Sequence, residues 1–380
     1  MVPDRLTLTL AMPLAASLAL PFASFRVNRI APADPRSLTE ALGAPVAGFA
    51  VAAVLLAVLA LLRLRRPGWR LAVLGALLAG SMVLIGWGAD RLAAGASPAA
   101  RVAPGAGYWF GFAALGMLTV DALARLNPRP VTRLLLLAVA VAMVAGLLRS
   151  GMLDDLSVMQ EYRNRAAGFW REGGRHLTLA FGSFLAALLV GLPLGVGLAR
   201  RAGLRPAVLN GLTLVQTIPS IALFGMLIVP LAWVAANVPG AQALGIRGIG
   251  MAPALVALFL YSLLPIAANT AAGLLEVPRA VRDAADGMGL TPRQRLGMVD
   301  IPLALPAILA GARIVLVQNI GMATIGALIG AGGFGSFVFQ GIGQTAPDLI
   351  LLGALPTVAL AFATSAAMDA LIGLLPGAPR

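Results

Sequence analysis

Apolar residues run along this chain in long blocks, with arginines and prolines gathered in the gaps between them. A membrane helix needs about 20 largely apolar residues, because a rise of 1.5 Å per residue has to cross about 30 Å of hydrocarbon. That ruler predicts about ten spans, near residues 6–25, 45–62, 71–89, 106–124, 134–150, 177–199, 207–235, 250–272, 302–322 and 348–374. The pattern is that of an all-α polytopic membrane protein.

Composition strengthens this. Hydrophobic residues make up 59% and charged residues 11%, against about 25% charged in soluble chains; the mean hydropathy is +0.92. A net charge of +13 would suit a nucleic-acid partner if it were spread over a solvated face. Here it sits between apolar runs, so lipid is the expected surrounding and no nucleic-acid partner is expected.

Positive charge in short loops marks the cytoplasmic side. Arg63, Arg65, Arg66 and Arg70 follow the second run, Arg125, Arg129 and Arg133 the fourth, and Arg200, Arg201 and Arg205 the sixth. These alternate as a spanning chain requires. Residues 237–249 carry only Arg247 and fall outside, whereas the charged 276–298 falls inside. Both termini then face the cytoplasm. Arg26, Arg29 and Arg36 disagree, because they fall outside with only Asp34 and Glu40 to balance them. The first run, preceded by Arg5, also resembles a secretory signal, but it lacks a convincing small-x-small cleavage site.

Three residue types narrow the chemistry. The chain has no Cys, no Lys and a single His, His176. Thiolate chemistry, a Schiff base and the lysine of a phosphate-binding loop are therefore excluded, and a His-based metal site has little to draw on. No catalytic residue, metal site or cofactor is expected. If ATP powers this protein, a partner hydrolyses it.

The chain divides at residues 151–175, its longest polar stretch, which is expected on the outer face. Residues 1–150 hold about five plain apolar spans; residues 176–380 hold about five more, punctuated by Pro, Gly, Gln and Asn. Between the last pair but one runs EVPRAVRDAADGMGLTPRQRLGMVDIPLALP, residues 276–306. Pro278 suits the first turn of a helix over Arg279–Gly287, Gly287 and Gly289 suit its end, and Thr291-Pro292 suits a new N-cap. Pro302 and Pro306 open the next span. A compact helix-turn-helix on the cytoplasmic face is predicted.

Asp283-Ala284-Ala285, then three residues, Gly289, nine residues, and Val299-Asp300-Ile301-Pro302 resembles the E-A-A-x3-G-x9-I-x-L-P loop of ABC importer membrane subunits. Asp283 stands where that pattern has Glu. The resemblance implies a type I importer permease core of about five helices, here preceded by about five extra ones. It implies three partners: a cytoplasmic ATPase subunit that receives the 276–302 loop, an external solute-binding protein, and a second permease chain. In such a loop Asp283, Ala284, Ala285, Gly289 and Pro302 would carry the coupling. QTIPSIALFGMLI from Gln216, YSLLPIAANTAAGL from Tyr261 and ATIGALIGAGGFG from Ala323 narrow the resemblance to permeases for osmoprotectants such as glycine betaine, choline or carnitine, over about residues 176–375. Phe334-Gly335-Ser336 departs from the Leu-Gly-Asp or Leu-Gly-Glu of that group.

Several residues carry two readings each. Gln216, Thr217 and Pro219 interrupt an apolar run, either as a hinge lining a pathway or as a packing kink. Gln318 and Asn319 line a pathway or join helices as hydrogen-bonded glue. Gly332 and Gly333, with Gly330 and Gly335, form an irregular outer segment that gates access or lets helices approach. Asp121 is expected to pair with Arg125 near the inner interface, Asp369 to be similar, and His176 to sit at the outer interface. Aromatics are 6% of the chain and scattered, which argues against a high-affinity cation–π cage in it. The rival solutes are methionine or a sulfonate. A rival mechanism, an ion-gradient transporter, is disfavoured by unlike halves and few buried carboxylates, and a membrane enzyme by the lack of convergent catalytic groups.

Overall fold

The computed structural model describes residues 5–63 and 66–375, so Arg65 lies outside the described residues. Two compact units divide the chain, Met1–Asn164 and Arg165–Arg380. The boundary falls inside one long helix, where Arg165 leaves helical geometry at φ −130°, ψ 19°. Among the described residues nine helices are long and apolar enough to cross a membrane.

Unit 1 contains α1 (Arg5–Ala19), β1 (Ala23–Arg26), β2 (Asp34–Arg36), α2 (Leu38–Leu42), α3 (Ala44–Arg63), α4 (Pro67–Ala93), β3 (Arg101–Pro104), α5 (Ala106–Leu126) and α6 (Pro130–Arg149). Pro67 and Pro130 stand at the first positions of α4 and α6, where the missing N–H is no loss. The first expected span, 6–25, is shorter than predicted. α1 has 15 residues, about 22 Å of rise, because Ala23 leaves the helix to pair in a sheet. Leu10 and Leu14 of α1 bury against Leu115 and Leu118 of α5, with Leu61 and Leu74 completing that cluster.

The sheet has the order β2-β1-β3, antiparallel throughout, with Ala23 opposite both Arg36 and Pro104. Hydropathy did not predict it, since its short strands come from two connections, β1 and β2 between α1 and α2 and β3 between α4 and α5. It explains the arginines that disagreed with the charge count. Glu161, 2% exposed, lies 3.7 Å from both Arg29 and Arg101, and Arg36 pairs with Asp34 at 2.5 Å. Ser37 and Glu40 form a capping box on α2, and the Ser37 hydroxyl and N–H hold the Glu40 carboxyl below its usual range. Arg29 is thus paired with a carboxylate of α7 (Ser157–Arg200), and Arg36 with one from its own strand.

Unit 2 begins within α7 (Ser157–Arg200) and continues with α8 (Arg205–Thr217), α9 (Ser220–Met226), α10 (Ile228–Asn237), α11 (Met251–Glu276), α12 (Arg279–Gly287), α13 (Pro292–Arg295), a π-helical turn at Leu296–Asp300, α14 (Ile301–Ala323), a 3₁₀ turn at Ile325–Ile329, α15 (Gly335–Gly343) and α16 (Pro347–Gly373). The expected 207–235 span is thus three helices. Its core lies where α7, α11 and α14 meet, with Ala180, Phe184, Ile266, Val315, Leu316 and Ile320 buried together. His176 belongs inside this unit. It is 0% exposed, its ring 5.1 Å from that of Phe334.

Candidate coupling loop and solute cleft

The loop between α11 and α14 folds as its sequence predicts and adds a charge network that the motif does not advertise. Helix α12 covers Arg279–Gly287, Gly289 takes φ +78°, and the Thr291 hydroxyl and Gln294 side chain cap α13 reciprocally. Asp300, 7% exposed, accepts from Arg282 Nε at 3.0 Å and lies 3.7 Å from Arg295 Nε. Arg295 in turn donates to Asp286 at 2.7 Å, and Arg282 also donates to the Leu274 carbonyl at the end of α11. The four side chains tie α11, α12, α13 and α14 into one block.

The five motif residues divide between that block and the surface. Ala285 is buried at 1% exposure, whereas Asp283, Ala284, Gly289 and Pro302 are exposed. Val281 and Met288 add apolar surface to exposed α12, 38% and 75% accessible. A small residue and two apolar ones facing outward leave room for another surface to lie against the helix.

A second feature lies in the spanning part. Gln216, Thr217, Ile218, Pro219, Ser220, Tyr261, Gln318 and Met322 line a cleft of about 370 Å³. Two prolines build it. Pro219 disfavours helical geometry at the preceding residue, and Ile218 takes φ −70°, ψ 127°, ending α8. Pro265 lies inside α11 and has no N–H to give the carbonyl of Tyr261 four residues back. The Gln216 amide donates to that carbonyl at 2.8 Å, and the Tyr261 hydroxyl donates to the Ile218 carbonyl. Each break is satisfied by a side chain from the other. Tyr261 was not singled out in the sequence; its signal was the proline four residues later.

The remaining candidates lie elsewhere. Asn319, 0% exposed, donates to Ser183 of α7 and Ser262 of α11, both at 2.9 Å. It is the junction of three helices rather than part of the cleft lining. Both serines already donate to carbonyls one turn back, so Asn319→Leu leaves them partnered. Its expected cost is about 1 kcal/mol, since interhelical hydrogen bonds in membranes average about 0.6 each. Thermal unfolding of the purified variant should shift by a few degrees with uptake retained; loss of uptake at normal stability would contradict this.

Gly332 and Gly333 pack on α7, with φ +80° and +85°. The Gly333 N–H donates to Glu172 at 2.8 Å, and a Cβ on Gly332 would lie 2.6 Å from the same carboxylate. Glu172 also pairs with Arg175 at 2.9 Å. The unusual Phe334 has its own seat, 5.2 Å from the Phe169 ring. Asp121 pairs with Arg125 at 2.8 Å as expected and also faces buried Arg70 at 4.0 Å. Asp369 pairs with Arg313 across α14 and α16.

Family models match two separate stretches of the chain. Residues 188–376 match the family model described as binding-protein-dependent transport system inner membrane component, and residues 4–159 match that of the N-terminal domain of ABC transporter permease YehY. The osmoprotectant import permease protein OsmW of Salmonella typhimurium is 43% identical over 187 residues, 49% of this chain and 82% of that protein. The glycine betaine/carnitine/choline transport system permease protein OpuCB of Bacillus subtilis is 37% identical over 188 residues, 50% of this chain and 79% of that one. A solved structure of the MetNI methionine ABC transporter in an inward-facing conformation is 26% identical over 55% of this chain and 94% of its own, at a TM-score of 0.47. With nine membrane-length helices among its described residues and relatives of this identity, the chain belongs to the binding-protein-dependent transport system inner membrane components, the permease subunits of ABC transporters.

Proposed function

We propose that this permease passes a small osmoprotectant, such as glycine betaine or choline, inward across the bacterial inner membrane, driven by a separate ATPase subunit. The observation that carries this reading is the set of relatives, whose names include osmoprotectant import, glycine betaine, carnitine and choline. The cleft supports it physically. Its lining is amides, hydroxyls, a tyrosine and a methionine without a charged side chain, which suits a zwitterion or soft cation in transit and would not hold it fast. An external solute-binding protein selects the solute, and a second permease chain completes the pathway.

Residues 176–380 act as the permease core, 1–150 as an added membrane unit and 151–175 as a polar segment on the outer face. The 276–302 loop receives the ATPase through Asp283, Ala284, Ala285, Gly289 and Pro302. Both termini face the cytoplasm, an orientation supported by the arginine-rich connections. Gln216, Pro219 and Gln318 line the pathway, and Gly332 and Gly333 shape its outer segment. The solute is tested with vesicles that hold the chain, its ATPase and its solute-binding protein. ATP-dependent uptake of labelled glycine betaine or choline, but not methionine, is expected; uptake of methionine alone would overturn the solute while leaving the transporter.

A further inference from the structure

Two backbone carbonyls in the cleft lie outside helical hydrogen bonding, one freed by Pro265 and one left between α8 and α9 by Pro219. Each is covered by a side-chain donor, the Gln216 amide on Tyr261 and the Tyr261 hydroxyl on Ile218. The covers can be exchanged, because each donor sits on a side chain with rotatable bonds and Gln216, Ile218 and Tyr261 all line the same cleft. Gln318 lines that space too, its amide donating to the Met322 sulfur at 3.5 Å. Tyr261 stands ten residues into α11, about 15 Å from the helix end and so near half the hydrocarbon thickness.

A zwitterion carried to that depth loses its water and needs partners for both charges. We infer that the cleft is a transit site for a small zwitterion, whose carboxylate takes the Tyr261 hydroxyl and Gln216 amide. Its cationic end then meets the Ile218 and Tyr261 carbonyls that those donors release, together with the Gln318 side-chain oxygen. Hydrogen bonds to a charged group are about twice as strong as neutral ones, so the solute displaces the internal pair. The pair re-forms when the solute leaves, which keeps the site from becoming a trap. This inference rests on the osmoprotectant reading above and adds what the cleft recognises.

The test uses vesicles containing the permease with its ATPase, internal ATP and a saturating solute-binding protein that delivers both glycine betaine and choline. Choline carries the cation without the carboxylate. Tyr261→Phe keeps the ring and removes the hydroxyl; glycine betaine uptake should fall about tenfold, the loss of one hydrogen bond to a charged group, and choline uptake should fall much less. Gln216→Glu places a like charge where the carboxylate sits, and should likewise shift the ratio toward choline. The second variant keeps the test decisive if the first inserts poorly. Wild-type uptake of both solutes with an unchanged ratio in both variants would overturn this inference alone. Wild-type uptake of neither would overturn it together with the solute reading on which it rests.

Discussion

Replacing Asp300 by alanine is expected to uncouple the transporter, abolishing uptake while the ATPase partner continues to turn over. Asp300 sits at 7% exposure between two arginines, accepting from Arg282 at 3.0 Å and facing Arg295 at 3.7 Å. Without it Arg282 keeps only the Leu274 carbonyl, while Arg295 keeps Asp286. Removing one member of a buried ion pair costs about 3–5 kcal/mol. The Arg282 and Arg295 side chains are 28% and 27% exposed, so water recovers part of this, leaving about 2–3 kcal/mol. That loosens α12 from α14, the mechanical link from loop to span. Uptake and ATP hydrolysis measured in the same vesicles should separate by at least about tenfold. The double variant Arg282→Met with Asp300→Leu removes the unpaired charge and should recover part of the coupling. Asp300→Ala with full uptake would show that the charge network is dispensable.

Replacing Ala284 by arginine should also stop uptake, for a different reason. Ala284 is exposed on α12, so the long side chain meets solvent and leaves the fold of this chain undisturbed. On the coupling proposed for the 276–302 loop, what it obstructs is the approach of the ATPase subunit. The purified chain should unfold at the wild-type temperature and fail to retain the ATPase through purification. Ala285→Arg should behave otherwise, since Ala285 is 1% exposed and the arginine would be forced into the loop itself. A lowered unfolding temperature is expected there, because overpacking costs typically 1–3 kcal/mol. If Ala284→Arg retains its ATPase and transports normally, this face of α12 does not receive the partner.

Much of the architecture was legible because membrane spans are written in one dimension. The runs near 45–62, 71–89 and 106–124 appear as Ala44–Arg63, Pro67–Ala93 and Ala106–Leu126; prolines and arginines at the gaps mark the ends. The α12 helix was legible for local reasons too, from Pro278 ahead of it and Gly287 and Gly289 behind. The sheet of unit 1 was not, since Ala23 meets Pro104 across most of the unit and no local pattern encodes that pairing. Its formation also shortened the first helix. Likewise Arg282 and Asp300 lie eighteen residues apart, and only the folded turn brings them together. The burial of His176 was not legible, because position along a span does not reveal which side faces the protein; α7 turns it inward, against Phe334. The glutamine and asparagine pairs divided for the same reason. Gln216 and Gln318 face the cleft, whereas Asn319, one residue beyond Gln318, points into a junction of three helices.

In the proposed coupling, ATP hydrolysis by a partner reaches this chain through the 276–302 loop and so moves the solute. The most direct measurement is uptake of labelled glycine betaine by vesicles containing the permease, its ATPase and its solute-binding protein, each omitted in turn, with and without internal ATP and with and without an imposed ion gradient. Uptake that needs all three proteins and ATP and is indifferent to the gradient is expected. Uptake by the permease alone, driven by the gradient, would contradict it.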